Sequence, residues 1–437
     1  MKMVVNVVKV SDMETATPAP APGLLSLLSA NRDFRLLWLG GLVSACGGWF
    51  SAVAVFAMVH AHGGGALATG VTLALRYLPG LLVGPWAGVL ADRADRRTVM
   101  LVCDGVLAVL ALFFLLADSP GTLWLVYPLT FASASAGFVF QAARSAWAPS
   151  LVREDEYVLY SAAVQVNGML FQAVGGLAGA AVIAFAGWRW AFAVNALSFV
   201  VSLLLTAKAT TGHRRGGGTR APWLASLWEG LRAARRDRLI ASLLWLEAAF
   251  CLGLGGAITA MTHLALHVHD LGDGGTGWFY AVQGTVGALV LLTCSARLQR
   301  AAPRTRLTIV GLSCLFEGLF TMMLGLPSLP AVALLLWGAA AAADVVYGPT
   351  AVAALLSAAP DELRGRIMSL WSTVATTSLA LSSALSGALL DTAGHRLLPA
   401  LLGTAMSLSG LTWLTTLRNT APPTKMKGDP RSPLQTI

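Results

Sequence analysis

The sequence predicts an all-α membrane protein: twelve transmembrane helices in two six-helix halves. Three observations carry that expectation. The 437 residues are 56% hydrophobic and only 12% charged, about half of the roughly 25% charge of a soluble domain, and mean hydropathy is +0.69. Twelve stretches are long and apolar enough to cross lipid, which takes about 20 residues each as a helix. Basic residues keep to alternate loops, so 27 of the 30 Lys and Arg fall on one side of that threading.

Residues 1–30 are expected to be a tail. The segment 11–23 ends in Thr-Pro-Ala-Pro-Ala-Pro-Gly and reads as disordered. Residues 1–10 are too short for a cleavable leader, and Met13 is an alternative start. The first half, 31–207, holds spans at roughly 36–60, 66–91, 98–117, 121–143, 157–185 and 187–207. A basic loop, 208–238, follows. Within it, the run from Trp223 to Leu231 reads as an amphipathic helix on the membrane surface. The second half, 239–418, holds spans at roughly 239–267, 276–296, 307–326, 329–357, 367–390 and 397–417, and 419–437 is a second tail. Runs this long and continuously apolar are helices, since barrel strands are shorter and alternate.

The loop charge sets orientation. Arg93, Arg96, Arg97, Arg144, Arg153, the 208–238 loop, Arg297–Arg306, Arg364, Arg366 and both tails share one side, whereas the other has only Arg189 and Arg396. The positive-inside rule places that basic side, with both termini, in the cytoplasm of a cell membrane. A pI near 9.7 is therefore attributed to anionic lipid and not to nucleic acid. The five cysteines all lie in apolar stretches without a CxxC pair, so no disulfide or metal framework is expected.

Small residues form stripes. Gly80, Gly84 and Gly88 recur every four residues on the second span, Ser378, Ser382 and Ser386 on the eleventh, and Gly175 and Gly179 pair on the fifth. Such stripes let helix backbones approach closely where lipid supplies no hydrophobic drive.

Between the second and third spans stands Gly88-Val89-Leu90-Ala91-Asp92-Arg93-Ala94-Asp95-Arg96-Arg97. This run resembles the signature loop of the major facilitator superfamily, with Asp95 where a second glycine is usual. Other segments resemble the subgroup of siderophore and macrolide exporters: Asn31-Arg32-Asp33-Phe34-Arg35 with Ser44 to Phe50, Gln141 to Pro149, Trp190 to Phe199, and Arg364-Gly365-Arg366. The resemblance implies the major facilitator fold, with the second helix beside the eleventh. It also implies a cytoplasmic lock between the halves formed by Asp92 and the arginines. Two departures stand out. The subgroup often has an acid where this chain has Gly48, and the exporter motif of the fifth helix has proline where this chain has glycine, in Val174-Gly175-Gly176.

Charges inside spans are costly, at least ~2.5–3.5 kcal/mol each at the centre of the bilayer, and so mark pathways or buried pairs. Arg76, Asp104, Glu247, Glu317 and Asp344 qualify. By resemblance, helices 1, 4, 7 and 10 line the passage and helices 3, 6, 9 and 12 are peripheral, which ranks Glu247 and Asp344 above Glu317. Either acid is a candidate proton carrier, moving toward and away from Arg76; a static ion pair or a neutral hydrogen-bonded acid is the alternative. Asp104 is expected to brace the Arg93–Arg97 loop, and Arg144 to sit near Asp92 or Glu154. Glu317 serves either helix packing or substrate contact.

Gln165, Asn167, Gln172, Asn195 and Gln283 either line the passage or pair across helices, and Trp49, Phe50, Trp147, Phe171 and Trp245 either wall it or face lipid. His263, His267 and His269 have helical spacing for a metal, but interfacial polar residues are the expected reading.

No phosphate-binding G-x-x-x-x-G-K-[ST] loop is present. The expected function is a monomeric, proton-coupled secondary exporter of an amphipathic small molecule, a drug or siderophore-like metabolite. No enzyme activity, cofactor or metal is expected. The alternatives are a nutrient importer of the same fold and, after it, a membrane protein that does not transport.

Overall fold

The computed structural model describes residues 29, 31–147, 157–209, 223–360 and 363–419, and every regular element in them is helical. The helices are α1 (Arg32–Ala61), α2 (Ala66–Leu82), α3 (Gly84–Arg93), α4 (Arg96–Phe113), α5 (Val126–Trp147), α6 (Tyr157–Ala186), α7 (Trp188–Lys208), α8 (Trp223–Arg236), α9 (Arg238–His263), α10 (Gly275–Arg300), α11 (Pro303–Met323), α12 (Pro330–Ala358) and α13 (Arg364–Asn419). Among the described residues, eleven segments are long and apolar enough to cross a membrane, and Ala66–Leu82 is a shorter apolar twelfth.

Local chemistry sets the boundaries. The Asn31 side chain accepts from the Phe34 N–H at 2.9 Å and starts α1. Asp237 does the same for α9, accepting from Leu239 and Ile240. Pro303 and Pro330 stand in the first turns of α11 and α12, where a missing N–H costs nothing. Gly187 (φ 85°) turns the chain between α6 and α7, and Gly394 (φ 78°) kinks α13, which carries two candidate spans, Arg364–Leu390 and Thr392–Leu417. Side chains rarely adopt that backbone region.

Two expectations need correction. The second span is not one helix: it breaks at Val83, because Pro85 follows and cannot donate back along the helix. The signature run is not a loop either. α3 continues to Arg93 and α4 begins at Arg96, leaving Ala94 and Asp95 as the connection. Asp95, standing where glycine is usual, caps α4 by accepting from the Thr98 N–H (3.1 Å) and hydroxyl (2.6 Å).

The apolar core is divided unequally. At the end of the bundle carrying His60, one cluster joins both halves: Phe50 to Val59, Leu73, Phe114 and Phe192 pack with Ala257 to Leu266, Phe279, Tyr280 and Trp337. Among the described residues, the end carrying Arg97 holds two separate clusters. Phe34, Val99, Phe140 and Trp147 belong to the first half, and Ile240, Leu243, Val310, Leu355 and Ile367 to the second.

Glycines form the seam between the halves. A Cβ on Gly176 of α6 would lie 2.8 Å from the Gly277 carbonyl oxygen of α10, and one on Gly70 of α2 would lie 2.6 Å from the Gly387 Cα of α13. Gln172 donates to Gln283 across the same seam at 2.9 Å. All these contacts lie from mid-bundle toward His60. α3, in contrast, packs chiefly on α5 of its own half.

Candidate substrate cavity and buried charges

A cavity of about 450 Å³ lies inside the first half. The first and second spans contribute Ser44, Gly48, Ser51, Thr72, Arg76 and Tyr77, and α5 contributes Thr130, Ser133, Gly137 and Gln141. Leu107 and Phe114 from the third span and Asn195 and Phe199 of α7 line the cavity as well, so the third and sixth spans, expected at the periphery, are part of its wall. Nothing lies within 4 Å of where a Cβ would stand on Gly48 or Gly137, so both glycines open onto space.

Arg76 is the charged residue of this lining. Its guanidinium stands 5.6 Å from the Trp49 ring centroid, and Trp49 in turn meets Tyr280 of the second half with centroids 5.0 Å apart. Among the described residues Arg76 has no ion pair. A cation–π contact contributes roughly 0.5–2 kcal/mol, less than the cost of a charge at bilayer depth. Tyr77 lies within electrostatic reach of both Arg76 and Asp344.

The acids of the second half gather elsewhere. Glu247 of α9, Glu317 of α11 and Asp344 of α12 sit within electrostatic reach of Cys251, and Asp344 within reach of both glutamates. Glu247 and Glu317 are buried, whereas Asp344 is half-buried. The Cys251 thiol donates to Glu247 Oε1 at 3.5 Å. Oε2 of Glu317 is buried without a hydrogen-bond partner, and the Tyr347 hydroxyl stands near Glu247 without closing a hydrogen bond of ordinary length. Phe250 and Tyr347 stack beside them, with ring centroids 3.7 Å apart. None of the three acids lines the cavity of the first half, so the expected pairing of one of them with Arg76 is not made in this conformation.

The remaining charges brace individual halves. Asp104 is fully buried and accepts from the Ser202 hydroxyl at 2.8 Å. It therefore ties α4 to α7 and not to the Arg93–Arg97 loop. Arg97 donates from Nε to the Thr206 carbonyl oxygen at 3.4 Å and from Nη2 to that of Ala207. Both carbonyls lie in the last turn of α7, in the same half, so Arg97 is not part of a lock between halves here. Arg144 lays its guanidinium against Gly41, where a Cβ would come within 2.5–2.8 Å of it. The side chains of Asp92 and Arg93, and Glu154, lie outside the described residues. Sequence reasoning gave no role to Asp33, buried in the first turn of α1, where a carboxylate suits the helix N-terminus.

The stripes pack in part as expected. Gly175 and Gly179 meet α1, where their Cβ atoms would stand 2.7 Å from the Trp49 Cβ and 3.4 Å from the Phe50 Cα respectively. A Cβ on Gly80 would lie 2.8 Å from the Thr376 methyl of α13, but Gly84 faces open space. The serine stripe turns to α9 instead of α2: Ser382 donates to the Leu252 carbonyl, and a Cβ on Gly256 would be 2.7 Å from the Ser386 hydroxyl. The closest backbone approach of α2 to α13 is made by Gly70, Ser383 and Gly387. A missed signal is a spacing of seven: Gly311 and Gly318 of α11 face Gly410 and Gly403 of α13, and Gly277 and Gly284 of α10 face α6. Seven residues are two turns, the period of helices crossing at a shallow angle.

α8 is docked, not merely laid on a surface. Glu229 pairs with Arg366, and a Cβ on Gly230 would lie 2.9 Å from the Arg366 carbonyl oxygen. Of the aromatic residues expected either to wall the passage or to face lipid, Trp245 is 77% exposed and faces outward, whereas Trp147 is buried in a core. Phe56, Phe114, Phe138 and Phe199 supply the cavity's aromatic surface. Asn195 lines the cavity, the Asn167 amide nitrogen is buried without a partner, and the Gln165 side chain lies outside the described residues. His267 meets His60 and stacks on His263; among the described residues no three ligands converge on a metal position.

Known proteins place this architecture. The chain shows 27% identity over 264 residues to "Multidrug resistance protein MdtH" of Sodalis glossinidius (strain morsitans), covering 59% of this chain and 61% of that protein. The protein of that name from Photorhabdus laumondii subsp. laumondii is 27% identical over 281 residues, covering 62% and 65%. The chain thus spans less than two thirds of the length of these relatives. In fold it matches a mutant form of the nucleoside transporter NupG with a TM-score of 0.71 at 12% identity, over 88% of this chain and 99% of the other. It also matches a POT family transporter in complex with 5-aminolevulinic acid, with a TM-score of 0.68 at 14% identity, over 92% and 98%. The family model described as Major Facilitator Superfamily matches residues 37–343, more than half of the sequence. The chain belongs to the Major Facilitator Superfamily and has the multi-pass helical membrane fold of that family.

Proposed function

We propose that this transporter exports an amphipathic small molecule in exchange for protons, by alternating access of two halves, 31–207 and 239–418, linked by 208–238. One observation carries the reading: among the described residues a large apolar core joins the halves at the His60 end, while each half keeps its own core at the Arg97 end. That asymmetry is what an inward-facing state requires, with the passage sealed on the far side and the halves parted toward the cytoplasm. The basic loops assign the Arg97 end and both termini to the cytoplasmic side of a cell membrane. Efflux as the direction is supported by relatives named for multidrug resistance. Within that class, the exporter-like segments around Asn31, Gln141 and Arg364 favour the siderophore and macrolide subgroup. The working unit is the monomer.

Proton coupling is assigned to Glu247 and Asp344. Two acids in electrostatic reach, without a basic partner among the described residues, are costly to hold charged together. Rocking of the halves carries Asp344 toward or away from Arg76, with Tyr77 within electrostatic reach of both. The test is expression in an efflux-deficient bacterial host with a panel of drugs and siderophore-like metabolites. Reduced accumulation of at least one compound, abolished by a protonophore, is the expected result. Accumulation unchanged for every compound, or raised by expression as for an importer, would refute the reading.

A further inference from the structure

From the charge and shape of the cavity in the first half we infer that the substrate is an organic anion: a carboxylate or sulfonate carried on an aromatic body. The inference rests on the transporter reading above and narrows it to a chemical class. Arg76 gives the lining one positive charge, and no Asp or Glu belongs to that lining. Trp49 is its ring partner, and no acid among the described residues pairs with it. A guanidinium presented to a cavity at bilayer depth without a counter-ion matches an anion that brings one, because it forms forked, charge-assisted hydrogen bonds with carboxylate or sulfonate oxygens.

The rest of the wall fits the remainder of such a molecule. Phe56, Phe114, Phe138 and Phe199 offer apolar surface to an aromatic body. The Thr130 hydroxyl is buried without a partner and can serve a second polar group. A volume of about 450 Å³ lies within the roughly 300–1,000 Å³ of small-molecule sites. Gly48 is decisive for the charge. It lines the same cavity, and a Cβ there would meet nothing within 4 Å. An acid at this position fits without steric conflict and would add a negative charge to the lining that holds Arg76, whereas glycine adds none.

The test measures binding of 2-naphthoate and of its uncharged methyl ester to the full-length protein in lipid nanodiscs, by isothermal titration calorimetry. The wild type is expected to prefer naphthoate by at least about tenfold, the worth of one charge-assisted pair. Arg76→Gln and Gly48→Asp should each abolish the preference while retaining the ester affinity, and Arg76→Lys should keep most of it. Retained ester binding shows that the variants are folded. Equal binding of both compounds, binding of neither, or a preference that survives Arg76→Gln would overturn the inference. Because the readout is affinity and not transport, an anion preference without efflux would refute the exporter reading alone.

Discussion

His60 of α1 and His267, just beyond α9, meet ring to ring across the two halves, Nδ1 to Nε2 at 3.2 Å with the imidazoles edge to face. They stand on the rim of the joint apolar core, so they report whether the His60 end is shut. In a background lacking the five native cysteines, His60→Cys with His267→Cys should be bridged by a short bifunctional thiol reagent whose linker is itself cleavable by a reductant. Bridging should stop transport, and the reductant should restore it. Transport that continues in the bridged protein would mean that this end does not open.

The glycine seam has a stability signature. Gly176→Ala places a methyl group 2.8 Å from the Gly277 carbonyl oxygen, a backbone atom that cannot swing aside. Overpacking of this kind costs about 1–3 kcal/mol, read as a lower thermal midpoint in detergent. Gly48→Ala meets no atom within 4 Å and should leave the midpoint nearly unchanged, so equal effects of the two variants would contradict the described packing.

Arg97→Ala removes both donors to the carbonyls that end α7. Hydrogen bonds from charged groups contribute about 1.5–3 kcal/mol each, so the variant should be less stable, with faster proteolysis near residues 206–209. Arg97→Lys should recover part of the loss. If Arg97 served only as a lock between the halves, transport would change and stability would not.

Glu247→Gln and Asp344→Asn should each reach the membrane in normal amount and lose proton-driven transport, while substrate binding persists. Efflux unimpaired in both would end their assignment as proton carriers. Glu317→Gln separates the two roles left open for that acid, because a packing role predicts altered stability with transport retained.

His269 lies past the end of the seventh span. Burial holds its imidazole below the ordinary value of 6.5, and His395 adds to the shift. The fold therefore favours the neutral ring. Above pH 6.5 this contribution to stability is fully present; as pH falls through 6.5, the unfolded chain takes up the proton more readily and stability is lost. Thermal midpoints should drop on acidification from neutral pH through that range, and less so in His269→Gln. An identical drop in both proteins would assign the effect to other groups.

Most of the architecture was legible in the sequence because lipid leaves the backbone few choices: uninterrupted apolar length and alternating loop charge mark each span. The break at Val83 was legible in principle, from Gly84-Pro85, but was masked by the continuous apolar run. The site was harder to read. Arg76 was recognisable as a charge in lipid, yet its nearness to Trp49 and its separation from Asp344 depend on how the halves pack. The serine stripe of α13 showed that a helix would come close, but not that the helix would be α9. The seam at Gly176 and Gly277 depended on which spans are neighbours, and four-residue spacing did not mark it.

Alternating access is tested most directly by spin-label distances at both ends of one molecule. Labels at Ser145 and Ser357 report the Arg97 end, and labels at Ala61 and Asp273 the His60 end; all four positions are exposed. Under a proton gradient or with bound substrate, the first distance should shorten as the second lengthens. Two distributions that stay fixed under every condition, or that lengthen together, would contradict the mechanism.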